Sequence, residues 1–540
     1  MAESFEIRQL NMIPFSRRLS RFMLYEEKKE DGLFPAGLYL HLTADMYKPG
    51  GVFVPGRKRG IIHLSPIRDG KELPYKLKAT PSMLTMETEK GNIEFTIDRP
   101  EILRIRSCGV GLRAFSPLFR MEVPLRMNDG SLELFYSNLG NVLIRAIEGA
   151  ADFNTVWRLK DWRADDVICD LTPSQNGIME AAIHEFAATE APLEKYRPFD
   201  LCEKEAADDF SLWQKKYKEP CGDRELFDMA TYITWICMQR PRVDAPYRLL
   251  RGNMMYNNRF GIDYVNLFEQ PLLAMAFEDR NAKAELIGNV LDLMSPDGML
   301  PAFTNNKEPQ YGYAAPPVIA IAAKETAGEL QGPALSKLKK LAFWWLEWRD
   351  PDHDGTVSYA YAKETGFDAG LTIRDGLAVK SPDLLTYMCV LSELLSETDA
   401  DSGAYWKEIS RGMLGKLTDT LWDGEEFVCR RSKTYEKVMG TDFLGYIPVL
   451  LGSKLPGDIA RKLTDAVSAK KAWERKDQVP LAAYLVKGFL ELSQKERAEA
   501  AGKWFIGFVK EHGFVNKIGA VMYSSWSASA YLYITAALGI

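Results

Sequence analysis

Apolar residues alternate with polar ones through the first third of the chain, then recur every three to four positions through the rest. Between about residues 33 and 185 the alternation yields short strands, among them Met83-Leu84-Thr85-Met86-Glu87, Ile93-Glu94-Phe95-Thr96-Ile97 and Leu103-Arg104-Ile105-Arg106. Leu132-Glu133-Leu134-Phe135 and Val142-Leu143-Ile144-Arg145 continue it, and Lys90-Gly91-Asn92 and Asn128-Asp129-Gly130-Ser131 supply turns. Regular short strands with polar turns predict an antiparallel β-sandwich. From about residue 203 the period is helical. Leu226-Phe227-Met229-Ala230-Ile233, Leu267-Leu272-Leu273-Met275-Ala276 and Leu384-Leu385-Met388-Leu391-Leu395 fit apolar helix faces. Ser381-Pro382-Asp383 predicts a helix start, with an N-cap serine and a proline in the first turn. The remaining length accommodates roughly a dozen helices. Periodicity does not separate a closed ring of helical hairpins from a solenoid.

Length and composition sharpen this picture. At 540 residues two domains are expected, a strand-rich one with its linker over 1–200 and a helical one over 201–540. Hydrophobic residues make up 46% and charged ones 26%, which is ordinary for a folded protein. A net charge of −6 and only isolated basic runs, such as Arg57-Lys58-Arg59, speak against a nucleic-acid partner. No stretch of about 18 apolar residues occurs, so no membrane span is expected, and the first residues hold no signal-peptide core. The seven cysteines are scattered without a CxxC pair, which predicts reduced thiols and a cytoplasmic setting.

The chemistry is narrowed by what is missing. Five histidines without an HExxH spacing, and no GxSxG, P-loop or strand-borne GxGxxG, leave carboxylates with aromatic partners as the expected machinery. Tryptophans are plentiful in the helical half (Trp235, Trp344, Trp345, Trp348, Trp406, Trp422, Trp473, Trp504 and Trp526). Most will be core; the rest suit the apolar face of a pyranose.

An ordered series of motifs then carries a resemblance. Trp348-Arg349-Asp350-Pro351-Asp352-His353-Asp354-Gly355, Glu364-Thr365-Gly366-Phe367-Asp368 and Ser381-Pro382-Asp383-Leu384 follow one another. Gly261-Ile262-Asp263, Ser295-Pro296-Asp297-Gly298-Met299-Leu300-Pro301 and Ala315-Pro316-Pro317 precede them, and Leu421-Trp422-Asp423 and Ser525-Trp526-Ser527-Ala528 come after. Together they resemble glycoside hydrolase family 63 and its trehalase-like relatives. The resemblance implies an (α/α)6 barrel, so the fold class expected is multidomain and mainly α, a sandwich followed by that barrel. It also implies an inverting glycosidase acting on α-glucosidic bonds of a small carbohydrate, with no cofactor required.

By the same resemblance, Asp368 corresponds to the general acid, the plainer alternative being a loop aspartate that caps a helix. Glu511, fifteen residues before Trp526, stands near the place of the base. A competing alignment puts Asn516 there, an amide that cannot deprotonate water. Asp263, Phe367, Trp473 and Trp526 are the candidate sugar contacts, with a buried helix-capping aspartate as the alternative for Asp263. Three segments depart from the family pattern: Ile262 stands for a tryptophan, Ala315 for a glutamine, and 472–480 for a YWRGPVW segment. Phosphorolysis, which dispenses with the base, and a non-catalytic sugar-binding protein stay open. Asp350, Asp352 and Asp354 followed by Gly355 reproduce the first half of a calcium loop, but Tyr361 occupies the place of its bidentate glutamate. A structural Ca2+ and a metal-free acidic turn are both compatible with that pattern.

Overall fold

The computed structural model describes residues 5–28, 35–42, 44–45, 61–118, 122–136, 140–158, 163–186, 195–238, 262–263, 265–304, 309–326, 328–330, 332–366, 378–438, 443–520 and 523–540. The alternating half forms two antiparallel sheets. One runs Phe22–Glu27, Gly37–Leu42, Ile62–Arg68, Gly111–Pro117, Asp166–Thr172 and Ala150–Asn154 in spatial order. The other runs Val123–Arg126, Leu132–Tyr136, Gly140–Glu148, Ile178–Phe186, Ile102–Cys108, Gly91–Arg99, Leu84–Thr88 and Lys76–Ala79. Period-two burial gives each sheet one apolar face: Leu38, Leu40 and Leu42 of the first and Ile93, Phe95 and Ile97 of the second join one buried cluster. That is the packing of a sandwich. The predicted turn at 128–131 is formed, with Gly130 at φ 84° and Asp129 Oδ1 accepting Ser131 N–H at 3.0 Å.

The strands reach further than their apolar cores; Ile93–Ile97, for example, is the middle of a nine-residue strand. Helices hold 40% and strands 27% of the described residues, so the chain is β then α in series, and "mainly α" is not what the described residues show. Helix α1 (Phe199–Gln214) lies along the second sheet. Arg106 covers the Phe199 ring at 4.3 Å, and Arg197 Nε bonds Asp98 at 3.0 Å.

Six hairpins follow among the described residues. In each, an outer helix leads to an inner one: α2 (Arg224–Ile236) to α3 (Gln270–Ala276), α4 (Arg280–Leu291) to α5 (Ile319–Glu325), and α6 (Gly332–Trp348) to α7 (Pro382–Thr398). Then α8 (Gly403–Thr420) leads to a 3-10 segment (Ile447–Lys454), α9 (Gly457–Ala469) to α10 (Ala482–Glu491), and α11 (Lys495–His512) to α12 (Ser525–Leu538). The inner elements close a ring: α3 packs on α5, α5 on α7, α7 on the 3-10 segment, that segment on α10, α10 on α12, and α12 on α3. This is the (α/α)6 arrangement that periodicity alone left undecided.

Burial explains which helix goes where. Every residue of α3 is buried, as are Ile319–Ala323 of α5, whereas α8 buries only Trp406, Met413 and Leu417. A helix apolar all round must sit inside, and one with a single stripe belongs outside. Close approach is needed too. A Cβ on Gly488 of α10 would lie 2.4 Å from Val449 of the 3-10 segment.

The predicted start of α7 holds, with one difference. Ser381 is at the N-cap, but its side chain makes no cap bond and donates instead to the Asp383 carboxylate. A buried carboxylate is the stronger acceptor.

Candidate active site

Alternating outer and inner helices bring all six outer-to-inner connections to one rim, and these connections contact one another around it. Leu267 N–H donates to Ala302 at 3.0 Å, joining the first to the second. Ala314 N–H reaches Glu364 Oε1 at 3.3 Å, joining the second to the third. Ser432 N–H donates to Ala378 at 2.8 Å, Arg475 lies 5.4 Å from the Phe443 ring, and Val479 N–H donates to Asn516 at 2.9 Å. Phe268 against Trp526, at 6.0 Å, closes the circle. The described residues of every motif of the resemblance lie on these connections or on the helix ends beside them.

The third connection is held by a buried ion pair. Glu364 is fully buried and takes Arg349 Nη2 at 2.6 Å on Oε1. It also accepts Ala314 N–H on Oε1, with Ala360 N–H (2.9 Å) and Tyr361 N–H (3.2 Å) on Oε2. Arg349 in turn lies 5.0 Å from the Trp344 ring. Two residues on, Gly366 has φ 75°, and a Cβ there would lie 2.3 Å from the Phe268 ring. Glycine therefore lets the chain cross that ring immediately before Phe367 and Asp368.

Inside the ring, aromatic and polar groups collect at the starts of the inner helices. Phe268 packs on Trp526 and on Tyr484, the latter at 6.4 Å. Tyr387 Oη, Tyr484 Oη, Trp526 Nε1, Ser524 Oγ and Ser527 Oγ are buried without a hydrogen-bond partner among the described residues. Such groups carry a desolvation cost that a ligand can relieve. Burial pushes the Asp383 carboxyl up to about 6, even though Ser381 and Tyr359 (2.8 Å) donate to it. Burial likewise lifts the Tyr387 and Tyr484 hydroxyls well above the ordinary tyrosine range.

Of the residues singled out from sequence, Trp526 is at this centre. Trp473 is buried edge-on to Phe489 at 6.1 Å. Asp263 lies on a two-residue strand, Ile262–Asp263, paired parallel with Ala44–Asp45. Phe367 and Asp368 lie outside the described residues. Glu511 is in the last turn of outer helix α11, with its side chain 75% exposed and 3.6 Å from His512. That is a solvent-facing carboxylate, away from the buried centre. Asn516 is on the rim itself, bonded through its carbonyl to Val479.

The calcium-loop residues do converge: carboxylate oxygens of Asp350, Asp352 and Asp354 lie within 4.8 Å of one another. As it stands their donor set does not fit calcium, because an ammonium already takes the oxygens an ion would need. Both Asp350 oxygens accept backbone N–H groups, from Asp354 and Gly355, and the other two carboxylates hold the Lys380 ammonium.

Sequence reasoning passed over Glu269 and Gln270, both buried at the start of α3, where Asn266 Nδ2 donates to Glu269 at 3.3 Å. The signal was present. Pro271 follows them as Pro382 follows Ser381, marking another inner helix start at the rim. All seven cysteines are free, and no described helix is long and apolar enough to cross a membrane.

No protein-family model and no curated protein matches the sequence. Among solved structures, the chain is similar to a bacterial glucoamylase complexed with acarbose, with TM-score 0.62 and 8% identity over 99% of this chain and 95% of that one. It is also similar to an inverting mannosidase of family GH92 from Bacteroides thetaiotaomicron, with TM-score 0.57 and 7% identity over 96% and 82%. A GH63 mannosylglycerate hydrolase from Thermus thermophilus, in complex with glucose, gives TM-score 0.43 and 16% identity over 53% and 96%. The first two likenesses show that sandwich and barrel together form a shared fold spanning nearly the whole chain.

Proposed function

We propose that this chain is a glycoside hydrolase that cleaves α-glucosidic bonds of a small carbohydrate with inversion, at the centre of the barrel rim. The observation that carries the reading is the set of buried hydroxyl and indole groups, unpartnered among the described residues, beside aromatic faces at the inner helix starts. Sugars supply what these groups lack, hydroxyls to pair with and C–H faces to stack. The known proteins that share the fold over most of its length, a glucoamylase and an inverting mannosidase, agree with this class.

In this reading Asp368 is the general acid. It gives its proton to the glycosidic oxygen as the bond to the anomeric carbon breaks, and water attacks that carbon from the opposite face. A second carboxylate, about 6.5–9.5 Å from the first in inverting enzymes, takes the water's proton. Glu511 is the candidate from sequence alignment, and it would have to turn inward from solvent to act. Glu269, already buried beside Phe268, is the second candidate. Phe367, Trp473, Trp526 and Asp263 hold the sugar. The Arg349–Glu364 pair positions the segment that leads to Asp368.

Exposure of Glu511 and the amide at Asn516 favour one alternative, phosphorolysis, in which phosphate attacks the anomeric carbon directly and no base is needed. A screen of α-linked disaccharides and aryl α-glucosides, with and without phosphate, separates the readings. Glucose released without phosphate supports hydrolysis. Glucose 1-phosphate formed only with phosphate supports the alternative, and binding without turnover would leave a sugar-binding protein.

A further inference from the structure

The loop after α6 holds three clustered carboxylates, and the positive charge among them comes from the chain itself. Lys380, fully buried on the short strand Val379–Lys380, places Nζ 2.7 Å from Asp352 Oδ2 and 2.6 Å from Asp354 Oδ2. Its third donor reaches Tyr435 Oη at 3.0 Å. Three ammonium hydrogens thus meet three acceptors, and the ammonium itself is fully satisfied. Tyr435 also donates to Asp354, and Lys433 N–H donates to Asp352 at 3.0 Å. Asp352 Oδ1 stays buried without a partner among the described residues. Lys416, 3.9 Å from Asp354, is a second cation at hand and is partly exposed.

We propose that Lys380 is a built-in substitute for a divalent cation: the native chain takes no calcium at this loop, and removing the ammonium converts the loop into a calcium site. An ion placed among these oxygens would have to share the position of Nζ. Size and like-charge repulsion both forbid that. Without Nζ, Asp352 Oδ2 and Asp354 Oδ2 each keep one donor, Lys433 N–H and Tyr435 O–H, but regain a lone pair next to the already open Asp352 Oδ1, giving hard, anionic ligands of the kind calcium binds. The lysine also explains why the loop can do without a bidentate glutamate. Its side chain arrives from the strand that leads into α7, so it ties the loop to that helix start as an ion would.

The test is thermal unfolding of the native protein and of Lys380→Met, each in EDTA and in millimolar calcium. The native midpoint should be the same in both. The variant should melt below the native protein in EDTA and recover by several degrees in calcium, a recovery abolished when Asp352→Asn is added. A native midpoint raised by calcium, or a variant that calcium does not stabilise, would overturn the proposal; so would a variant that stays aggregated in calcium. Terbium provides a reading on the native protein alone, since Tyr435 can sensitise an ion bound at Asp354. No calcium-displaceable emission is expected. Emission that calcium displaces and Asp352→Asn removes would overturn the first half of the proposal.

Discussion

Glu364→Ala isolates the brace that holds the third rim connection. The carboxylate is fully buried and satisfies four donors at once: Arg349 and the amides of Ala314, Ala360 and Tyr361. Truncation leaves Arg349 as a largely, though not fully, buried cation without its carboxylate and strands three N–H groups. Removing one partner of a buried pair typically costs about 3–5 kcal/mol. Each stranded amide would add about 1–3 kcal/mol if water could not reach it. Water entering the vacated space will satisfy some of them, and Arg349 keeps its contact with Trp344, so about 3–5 kcal/mol is the expected net loss. Urea unfolding followed by tryptophan fluorescence measures it as a fall in midpoint at unchanged slope. Glu364→Gln, which keeps the shape and one acceptor oxygen, should lose less. A loss below about 1 kcal/mol for Glu364→Ala would show that the connection is held by something else, since that is the scale of an exposed pair.

Three further outcomes follow from the same geometry. Gly366→Ala should destabilise by about 1–3 kcal/mol, because a left-handed backbone and a Cβ 2.3 Å from Phe268 are both penalised; a melting curve like the native one would refute the close approach. Asp383 is the pH-sensitive group. Its folded-state pKa of about 6 lies above the unfolded value near 3.8, so the folded state binds the extra proton between those values. Stability should therefore fall as pH rises from about 4 to 6, by up to about 3 kcal/mol, and Asp383→Asn should flatten that slope in urea titrations across the range. Asp354 works in the opposite sense. Burial alone would raise its pKa, but bonds from Lys380, Tyr435 and Thr356 bring it down to about 2, so its stabilising share is present above pH 4 and lost as pH falls towards 2; Asp354→Asn should remove that acid-side loss.

The change of period at about residue 200 made the two architectures legible, because burial on one face writes period two into strands and a full apolar circumference into inner helices. Closure of the ring was not legible, since it depends on which inner helices touch, and α3 and α5 read as short apolar runs of seven residues. The motifs fall on the rim connections and the helix ends beside them, and Trp526 packs against Phe268 there. Glu364, part of a motif, serves as a buried brace, a role that spacing does not reveal because Arg349 stands fifteen residues earlier on the same connection and Ala314 belongs to the second one. The calcium-like loop shows the limit most plainly. Its three aspartates stand within five residues of one another, but the lysine that pairs with two of them is 26 residues beyond Asp354. Glu511 resembled a base by its distance to Trp526, and only the helix around it reveals that the carboxylate points to solvent.

The most direct test of the glycosidase reading is the anomeric form of the first product, followed by proton NMR as an aryl α-glucoside or α-linked disaccharide is cleaved. β-Glucose should appear first and mutarotate to the α form, with Asp368→Asn lowering turnover by at least about 100-fold. α-Glucose as the first product, or undiminished turnover in Asp368→Asn, would contradict the reading.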